Sequence, residues 1–291
     1  MAQVLHGWSV DVEDWFHILD CDGAPDPEQW DRTESRVGIG TRRMLDLLDR
    51  FHYRATFFCL GWIARKAPEL IAEIAARGHE IGSHGDMHRL VHTLDRDTFA
   101  RDLDASLESL KRACGHDIHA FRAPGFSIGD GETWALPILA SRGITLDASL
   151  FLARRAHGGM RLERTRPFDL VLHDGRVLTE VPTVPRILFG REVPFSGGGY
   201  LRLLPIPVLV RAFAEFDETR RPVIAYVHPR ELDPQQPRMD LPARRRFKYY
   251  VGLDTVTAKI ERLFEQFHFG TLSEVAAACP RDRPVHVGRL A

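Results

Sequence analysis

Val4-Leu5-His6-Gly7-Trp8-Ser9-Val10-Asp11-Val12-Glu13-Asp14 is the stretch on which the fold turns. Residues 4 to 10 have the length and apolar character of a short buried strand, and the strand runs into three carboxylates. Reactive groups at the C-terminal end of a buried strand suit a (β/α) barrel, which carries its chemistry on that face.

Working outward, strand and helix signals alternate. Thr41 to Phe51 sets Met44, Leu47, Leu48 and Phe51 at helical spacing, and Ala55 to Leu60 follows as a second strand. Leu70 to Ala76 is helical, with Gly78 as a stop signal before the strand Glu80-Ile81-Gly82. The pattern continues with a helix over Phe99 to Cys114, a strand over His119 to Arg122, a helix over Thr133 to Arg142 and a strand over Ile144 to Asp147. Repeated units of this size predict a mainly parallel sheet or barrel. From Val171 to Leu188 the signals become short strands. Pro205 to Phe216 is helical, Val223 to Val227 is a buried strand ending at His228, and Asp254 to Phe267 is a last amphipathic helix. Leu232 to Leu241, rich in proline, reads as a long loop rather than a linker. The division expected is a barrel over residues 1–229 and a C-terminal elaboration of the same domain over 230–291.

Composition narrows the class. The 291 residues are 44% hydrophobic and 27% charged, enough for a sizeable core and unlike a disordered chain. With 39 basic and 40 acidic residues the net charge is −1, so no global field recruits nucleic acid. Arginines cluster locally, Arg154, Arg155, Arg161, Arg164 and Arg166 in one stretch and Arg244 to Arg246 in another; solvated faces are the simpler reading of both. Cys21, Cys59, Cys114 and Cys279 have neither metal nor disulfide spacing and read as free thiols. The N-terminus lacks the basic start and long apolar run of a signal peptide, and no run of about 18 apolar residues exists to span a membrane. The expected location is the cytoplasm.

His84 and His88, four apart, can present both imidazoles to one metal ion from a helix face or tight turn. That spacing alone carries little weight: with 14 histidines chance gives roughly one such pair, and His88/His92 is another. It gains weight from company. A hydrolytic zinc needs about three protein ligands and an open position, and the acids ending the first strand supply a carboxylate. Arg122, leaving a strand into Ala123-Pro124-Gly125, has the fork geometry to orient a carboxylate. His228 ends another buried strand.

These four elements, in this order, resemble the polysaccharide deacetylase family that shares the NodB homology domain. The family's T-F-D-D motif is similar to Ser9-Val10-Asp11 with Glu13 and Asp14, and its H-[ST]-x-x-H motif to His84-Gly85-Asp86-Met87-His88, with Gly85 in place of the hydroxyl residue. R-x-P matches Arg122-Ala123-Pro124, and L-x-H resembles Tyr226-Val227-His228. Ala55-Thr56-Phe57-Phe58 and Gly78-His79-Glu80-Ile81-Gly82-Ser83-His84 resemble the family's A-T-F-F strand and its entry to the metal site. Gly197-Gly198-Gly199-Tyr200-Leu201-Arg202 and the tail from Phe247 to Thr271 resemble a bacterial exopolysaccharide-associated subgroup.

The resemblance implies a distorted (β/α) barrel with fewer than eight regular units, and one divalent metal ion, commonly zinc, held by a carboxylate with His84 and His88. Val12 stands where the family's metal aspartate usually does, so Glu13 or Asp14 is the ligand; strand alternation favours Glu13, on the same face as Asp11. The substrate implied is an acetylated glycan: an N-acetylhexosamine of a polysaccharide or of its lipid-linked precursor. Asp11 is then the general base, His228 the acid for the leaving amine, Arg122 the group that orients Asp11, and Asp147 a partner for His228. A backbone N–H near Phe57 or Phe58 would receive the oxyanion. Trp15, Phe16, Trp62 and Phe126 are candidates for a sugar platform, and Tyr200 and Arg202 for closure over the substrate. Two rival functions share the fold, a metal-independent allantoinase-like hydrolase of ureides or cyclic imides and a non-catalytic glycan-binding module; an intact carboxylate-His-His set argues against the first.

Overall fold

Seven of the eight residues of Leu5–Val12 (β1) are buried, as a strand covered on both faces must be. In the computed structural model, which describes residues 3–289 apart from 20, 22, 154–156 and 189, β1 lies one strand in from the end of a large sheet. The other strands are β2 (Thr56–Cys59), β3 (Glu80–Ser83), β4 (Ala120–Phe121), β5 (Leu146–Asp147), β6 (Phe168–Val171), β7 (Val177–Glu180), β8 (Arg186–Leu188), β9 (Arg191–Val193), β10 (Ile224–Val227), β11 (His268–Gly270) and β12 (Asp282–His286). The helices are α1 (Val37–Phe51), α2 (Gly61–Lys66), α3 (Pro68–Ala76), α4 (Arg96–Cys114), α5 (Ala135–Ser141), α6 (Gly198–Leu203), α7 (Ile206–Glu218), α8 (Ala243–Tyr250), α9 (Val256–Phe264) and α10 (Leu272–Ala278).

The strand order is β10-β1-β2-β3-β4-β5-β7-β6-β12, with β11 also on β1 and with β8 and β9 as a separate antiparallel pair. Every pairing in the large sheet is parallel except β6 with β7. The molecule is thus a mixed α/β fold with a mostly parallel sheet, as the alternation predicts. Strand after strand adds to one side of β1 through β5, and β10 returns more than 200 residues later to close the other side.

The predicted elements recur with shifted ends. The first helix begins at Val37, where burial of Val37 and Thr41 extends the apolar face back by a turn. The fourth and fifth strands shrink to two residues each, because only Ala120–Phe121 and Leu146–Asp147 pair. Residues 230–291, read as an elaboration, contribute β11 to β1 and β12 to β6. Two main apolar clusters fill the space between sheet and helices, one around Trp8, Met44, Ile63, Phe213 and Phe264, the other around Phe99, Leu103, Phe121, Leu136 and Phe168. No described helix is long and apolar enough to cross a membrane. All four cysteines are free thiols. Arg154 and Arg155 lie outside the described residues. Arg164 and Arg166 donate to carbonyls of Arg283, Thr219 and Arg220, which makes that cluster a solvated, chain-tying surface.

Candidate active site and metal centre

Sheet register assembles the site. Asp11 sits beside Phe58, Val12 beside Cys59, Cys59 beside Ser83, Ser83 beside Phe121, Phe121 beside Asp147, and Asp147 beside Glu180. On the other flank Val10 sits beside Val227. His84, Arg122 and His228 each follow the last residue of a strand, so they fall along one sheet edge with Asp11 and Glu13 among them. Parallel strands put all their C-terminal ends on the same side, which is why residues far apart in sequence converge there.

Glu13, His84 and His88 are buried and offer ligand atoms within 4.8 Å of one another. Glu13 Oε1 lies 3.2 Å from His84 Nε2 and 2.9 Å from His88 Nε2. Directly after β1, the Glu13 amide donates to Asp11 O at 2.9 Å, a tight turn that leaves both side chains lining one cleft. The tautomers show that a cation fits. A carbonyl only accepts, so the 2.8 Å contact of His84 Nδ1 with Arg122 O puts a proton on Nδ1 and, in the neutral ring, a lone pair on Nε2. His88 Nε2 is buried and makes no hydrogen bond despite its 2.9 Å approach to Glu13. Lone pairs that converge on a carboxylate repel unless a cation or a further proton lies among them. An imidazole tied to a carbonyl through its other nitrogen is also the usual orientation of a metal-bound histidine. Burial pushes the Glu13 carboxyl up, but His88, His228 and His84 together hold it well below its usual range; burial pushes His88 down.

The second candidate ligand, Asp14, is placed elsewhere. Its carboxylate accepts from Ser35 Oγ and from the amides of Trp15 and Arg36, so it caps the loop before α1 and stands outside the Glu-His-His set. His92 is exposed and outside it too. The two histidines are joined by a turn rather than a helix. Asp102 on α4 accepts from the amides of Asp86 (2.7 Å) and Met87 (3.3 Å), and Gly85 adopts φ +75°. A side chain at Gly85 would be strained and would start 3.0 Å from Asp102 Oδ2, which accounts for glycine in place of the hydroxyl residue. His88 itself sits at φ +52°, a left-handed conformation that costs a non-glycine residue on the order of 1 kcal/mol.

Arg122, fully buried, donates to Asp11 Oδ1 at 2.7 Å and Ser9 Oγ at 2.8 Å, with its guanidinium over the Phe58 ring at 4.3 Å. Arg122 and Asp11, read from the sequence as a pair, are thus brought together. His228 Nε2 lies 4.0 Å from Asp11 and 3.7 Å from Glu13. Three of the readings made from sequence are corrected here. Asp147 does not reach His228: it accepts from Ser149 Oγ at 2.5 Å and stands beside Glu180 in the β5–β7 register. Ser149 Oγ accepts from the Ala123 amide at 2.8 Å, so Asp147 supports the Arg122 turn instead. Burial raises Asp147 to about 6, and burial together with Asp147 raises Glu180 well above its usual value.

The carboxylate beside His228 is Glu231, which sequence reading missed. Its Oε2 accepts from the His228 amide at 3.1 Å and lies 3.8 Å from Nδ1, an ion-pair distance rather than a hydrogen bond. Burial pushes Glu231 up, but His228 and Arg202 overcome this and bring it to about 2. Burial pushes His228 down, yet Glu13 and Glu231 leave it raised overall. The signal available in the sequence was a glutamate three residues after a strand-end histidine. Arg202 is the second correction: it is buried, 3.3 Å from Glu231, and donates to the carbonyls of Lys248, Tyr249 and Val251, so it braces the wall rather than closing over a ligand. The triple glycine makes room for that wall, since a Cβ on Gly198 would fall 1.6 Å from Glu231 Oε2. Third, Phe57 and Phe58 lie inside β2, hydrogen-bonded into the sheet between β1 and β3, which leaves their amides engaged.

The cleft above these groups encloses about 610 Å³, room for a sugar unit and its substituents. Of the proposed platform only Phe126 lines it, joined by Tyr200, Tyr226 and Tyr249; Phe16 and Trp62 are buried around Trp30 and His17, and Trp15 donates to Glu34 O.

A mostly parallel α/β sheet with a Glu-His-His donor set beside an arginine-held aspartate defines the class to which known proteins can be compared. Residues 37–140 match the polysaccharide deacetylase family model, and residues 148–277 match a domain of unknown function, DUF3473. A peptidoglycan-N-acetylglucosamine deacetylase of Bacillus cereus is 33% identical over 96 residues, 33% of this chain and 35% of that protein. A chitooligosaccharide deacetylase of Rhizobium leguminosarum bv. trifolii is 31% identical over 74 residues, 25% of this chain and 34% of that protein. A crystal structure from Mycobacterium smegmatis, provisionally assigned as a polysaccharide deacetylase, superposes with a TM-score of 0.65 at 21% identity, covering 97% of this chain and 94% of that one. The polysaccharide deacetylase match thus covers β2, β3 and β4 with His84, His88 and Arg122, and leaves Asp11, Glu13 and His228 outside it. The chain spans between 27% and 52% of the length of the curated relatives it matches.

Proposed function

We propose that the chain is a metal-dependent hydrolase that removes N-acetyl groups from an N-acetylhexosamine of a polysaccharide or its lipid-linked precursor, in exopolysaccharide synthesis. The observation that carries this reading is the Glu13-His84-His88 set, buried and convergent, with the Arg122-held Asp11 and His228 at its side. A divalent ion held by these three residues, zinc in our reading, would supply a Lewis acid for the acetamide carbonyl and acidify water.

The rest is the work of the chain's own groups. Asp11 takes the proton of the attacking water; its 2.7 Å bond to Arg122 keeps one oxygen occupied and the other directed at the cleft. His228, on the far side of Glu13, delivers a proton to the departing sugar amine. Glu231 holds the His228 backbone and favours its protonated form. Asp11, Glu13 and His228 all line the cleft of about 610 Å³ in which these steps would take place.

Purification without added metal, elemental analysis and acetate-release assays on N-acetylglucosamine oligomers and on nucleotide- or lipid-linked N-acetyl sugars test the proposal. One zinc per chain and chelator-sensitive acetate release are expected. No release from any substrate by zinc-loaded protein would overturn it in favour of a non-catalytic role.

A further inference from the structure

Two hydrogen-bond donors in the cleft have no acceptor among the described residues. The first is His17. Its Nδ1 accepts from the Asp14 amide at 3.0 Å, so the ring proton is on Nε2, and this buried N–H is unpartnered. The second is Arg230, whose NH1 is buried without a partner while the guanidinium lies over the Tyr249 ring at 5.4 Å. Both residues line the cleft that holds Glu13, His84, His88 and His228. An unpartnered buried donor is costly, and two beside one reacting centre mark a place for an acceptor.

The surrounding charge says what kind. Lys248 lines the same cleft. It belongs to α8, Ala-Arg-Arg-Arg-Phe-Lys-Tyr-Tyr, whose Arg244, Arg245, Arg246 and Lys248 are exposed and which contains no acid. Of the acids in the cleft lining, Asp11 is paired with Arg122 and Glu13 faces the imidazoles, while Glu192 has Arg161 at 3.9 Å. Glu231, next to Arg230 in sequence, is occupied by His228 and Arg202. A guanidinium, an ammonium and a neutral imidazole N–H suit an oxyanion.

We propose that Arg230, Lys248 and His17 form a subsite for an oxyanion substituent of the substrate, a carboxylate or a phosphate, beside the acetamido sugar, with α8 as its cationic approach. The inference rests on the deacetylase reading and narrows its substrate to an acidic glycan or a sugar phosphate. The sequence reading of Arg244 to Arg246 as a solvated face is thereby extended into the site.

The test uses the zinc-loaded full chain. Glucuronic acid, glucose 1-phosphate and glucose are titrated calorimetrically, and acetate release is compared on a neutral N-acetylglucosamine oligomer, the same oligomer carrying a uronate, and the same oligomer carrying a reducing-end phosphate. One acidic probe is expected to bind, and its oligomer to be preferred over the neutral one by about tenfold or more in kcat/KM. Arg230→Gln and Lys248→Gln should each cut that preference several-fold, and His17→Phe, which keeps a ring against Trp30 and Trp62, should lower it too. The probe that binds tells carboxylate from phosphate. Equal turnover of all three oligomers, with equal calorimetric traces, would overturn the subsite while leaving the deacetylase reading intact. Acetate release from none of them would sink that reading, and the titrations would still decide the subsite. Binding of α8 to phosphatidylglycerol vesicles with no sugar preference would assign its charge to a lipid surface and also overturn the proposal.

Discussion

The two flanks of β1 build their halves of the site in different ways. On the β2–β4 side, His84, His88 and Arg122 come from short motifs past the ends of β3 and β4 and meet Glu13 from the turn after β1. On the β10 side, His228 is one strand-end residue whose surroundings are assembled at long range: Glu231 below it, Arg202 of α6 behind Glu231, and the carbonyls of α8 behind Arg202. The first half falls largely within the deacetylase match and the second within the domain of unknown function. The candidate metal set can be written locally because each of its residues needs only a turn, whereas the proposed acid, His228, needs a tuned environment that comes from several elements.

Breaking the first flank should have the largest effect. On the proposed reading His84→Ala removes one of three candidate ligands and the anchor to Arg122 O; zinc stoichiometry by elemental analysis should collapse, with acetate release falling about a thousandfold or more. Asp11→Asn should retain zinc and still lose about a hundred- to ten-thousandfold in kcat, since only the base is removed. Equal zinc loss in Asp11→Asn would show that the aspartate belongs to the metal shell.

On the second flank, Gly198→Ala drives a methyl group into Glu231, so α6 or Glu231 must move. A fall of about tenfold or more in kcat with KM little changed, and a stability loss of about 1–3 kcal/mol by urea denaturation, are expected. Gly199→Ala is the control, because its Cβ would meet only Arg202 NH2 at 3.8 Å and should be tolerated. If the two variants behave alike, the glycines are there for backbone freedom and not to seat Glu231.

The smallest effect probes what joins the Arg122 turn to the sheet. Asp147, held near 6, has a folded value above its unfolded one, so the folded state binds its proton more tightly. Its contribution is fully present below about pH 4 and lost as pH rises through 6. Asp147→Asn should therefore flatten the decline in stability between those pH values, followed by denaturant midpoints, and raise stability at pH 7 by on the order of 1 kcal/mol. A decline as steep as in the parent protein would place the titration elsewhere.

Much of this was legible in advance. Apolar runs and helical spacing located β1, β2, β3 and β10 and helices α1, α3, α4, α5, α7 and α9 to within a few residues, because those elements bury a regular face. Helix α8 buries no residue, so it leaves no periodic trace, and β11 and β12 are short segments whose few buried residues, such as Phe269 and Val285, give too little pattern to read. Strand alternation favours Glu13 over Asp14; Glu13 lies just past β1, and it is the turn closed by its amide on Asp11 O that sets it beside His84 and His88 while Asp14 caps the loop before α1.

The partners of His228 and Asp147 were beyond that reach. Asp147 reads as a histidine's carboxylate from its place at a strand end, but the β5–β7 register sets it beside Glu180 instead. The sequence by itself determined which residue types stand at strand ends, since spacing and turn chemistry are local. Only the tertiary structure decided which of them face one another. That choice follows from β10 pairing with β1 across more than 200 residues, and from burial, which forces each charged group to take whatever partner the packing provides.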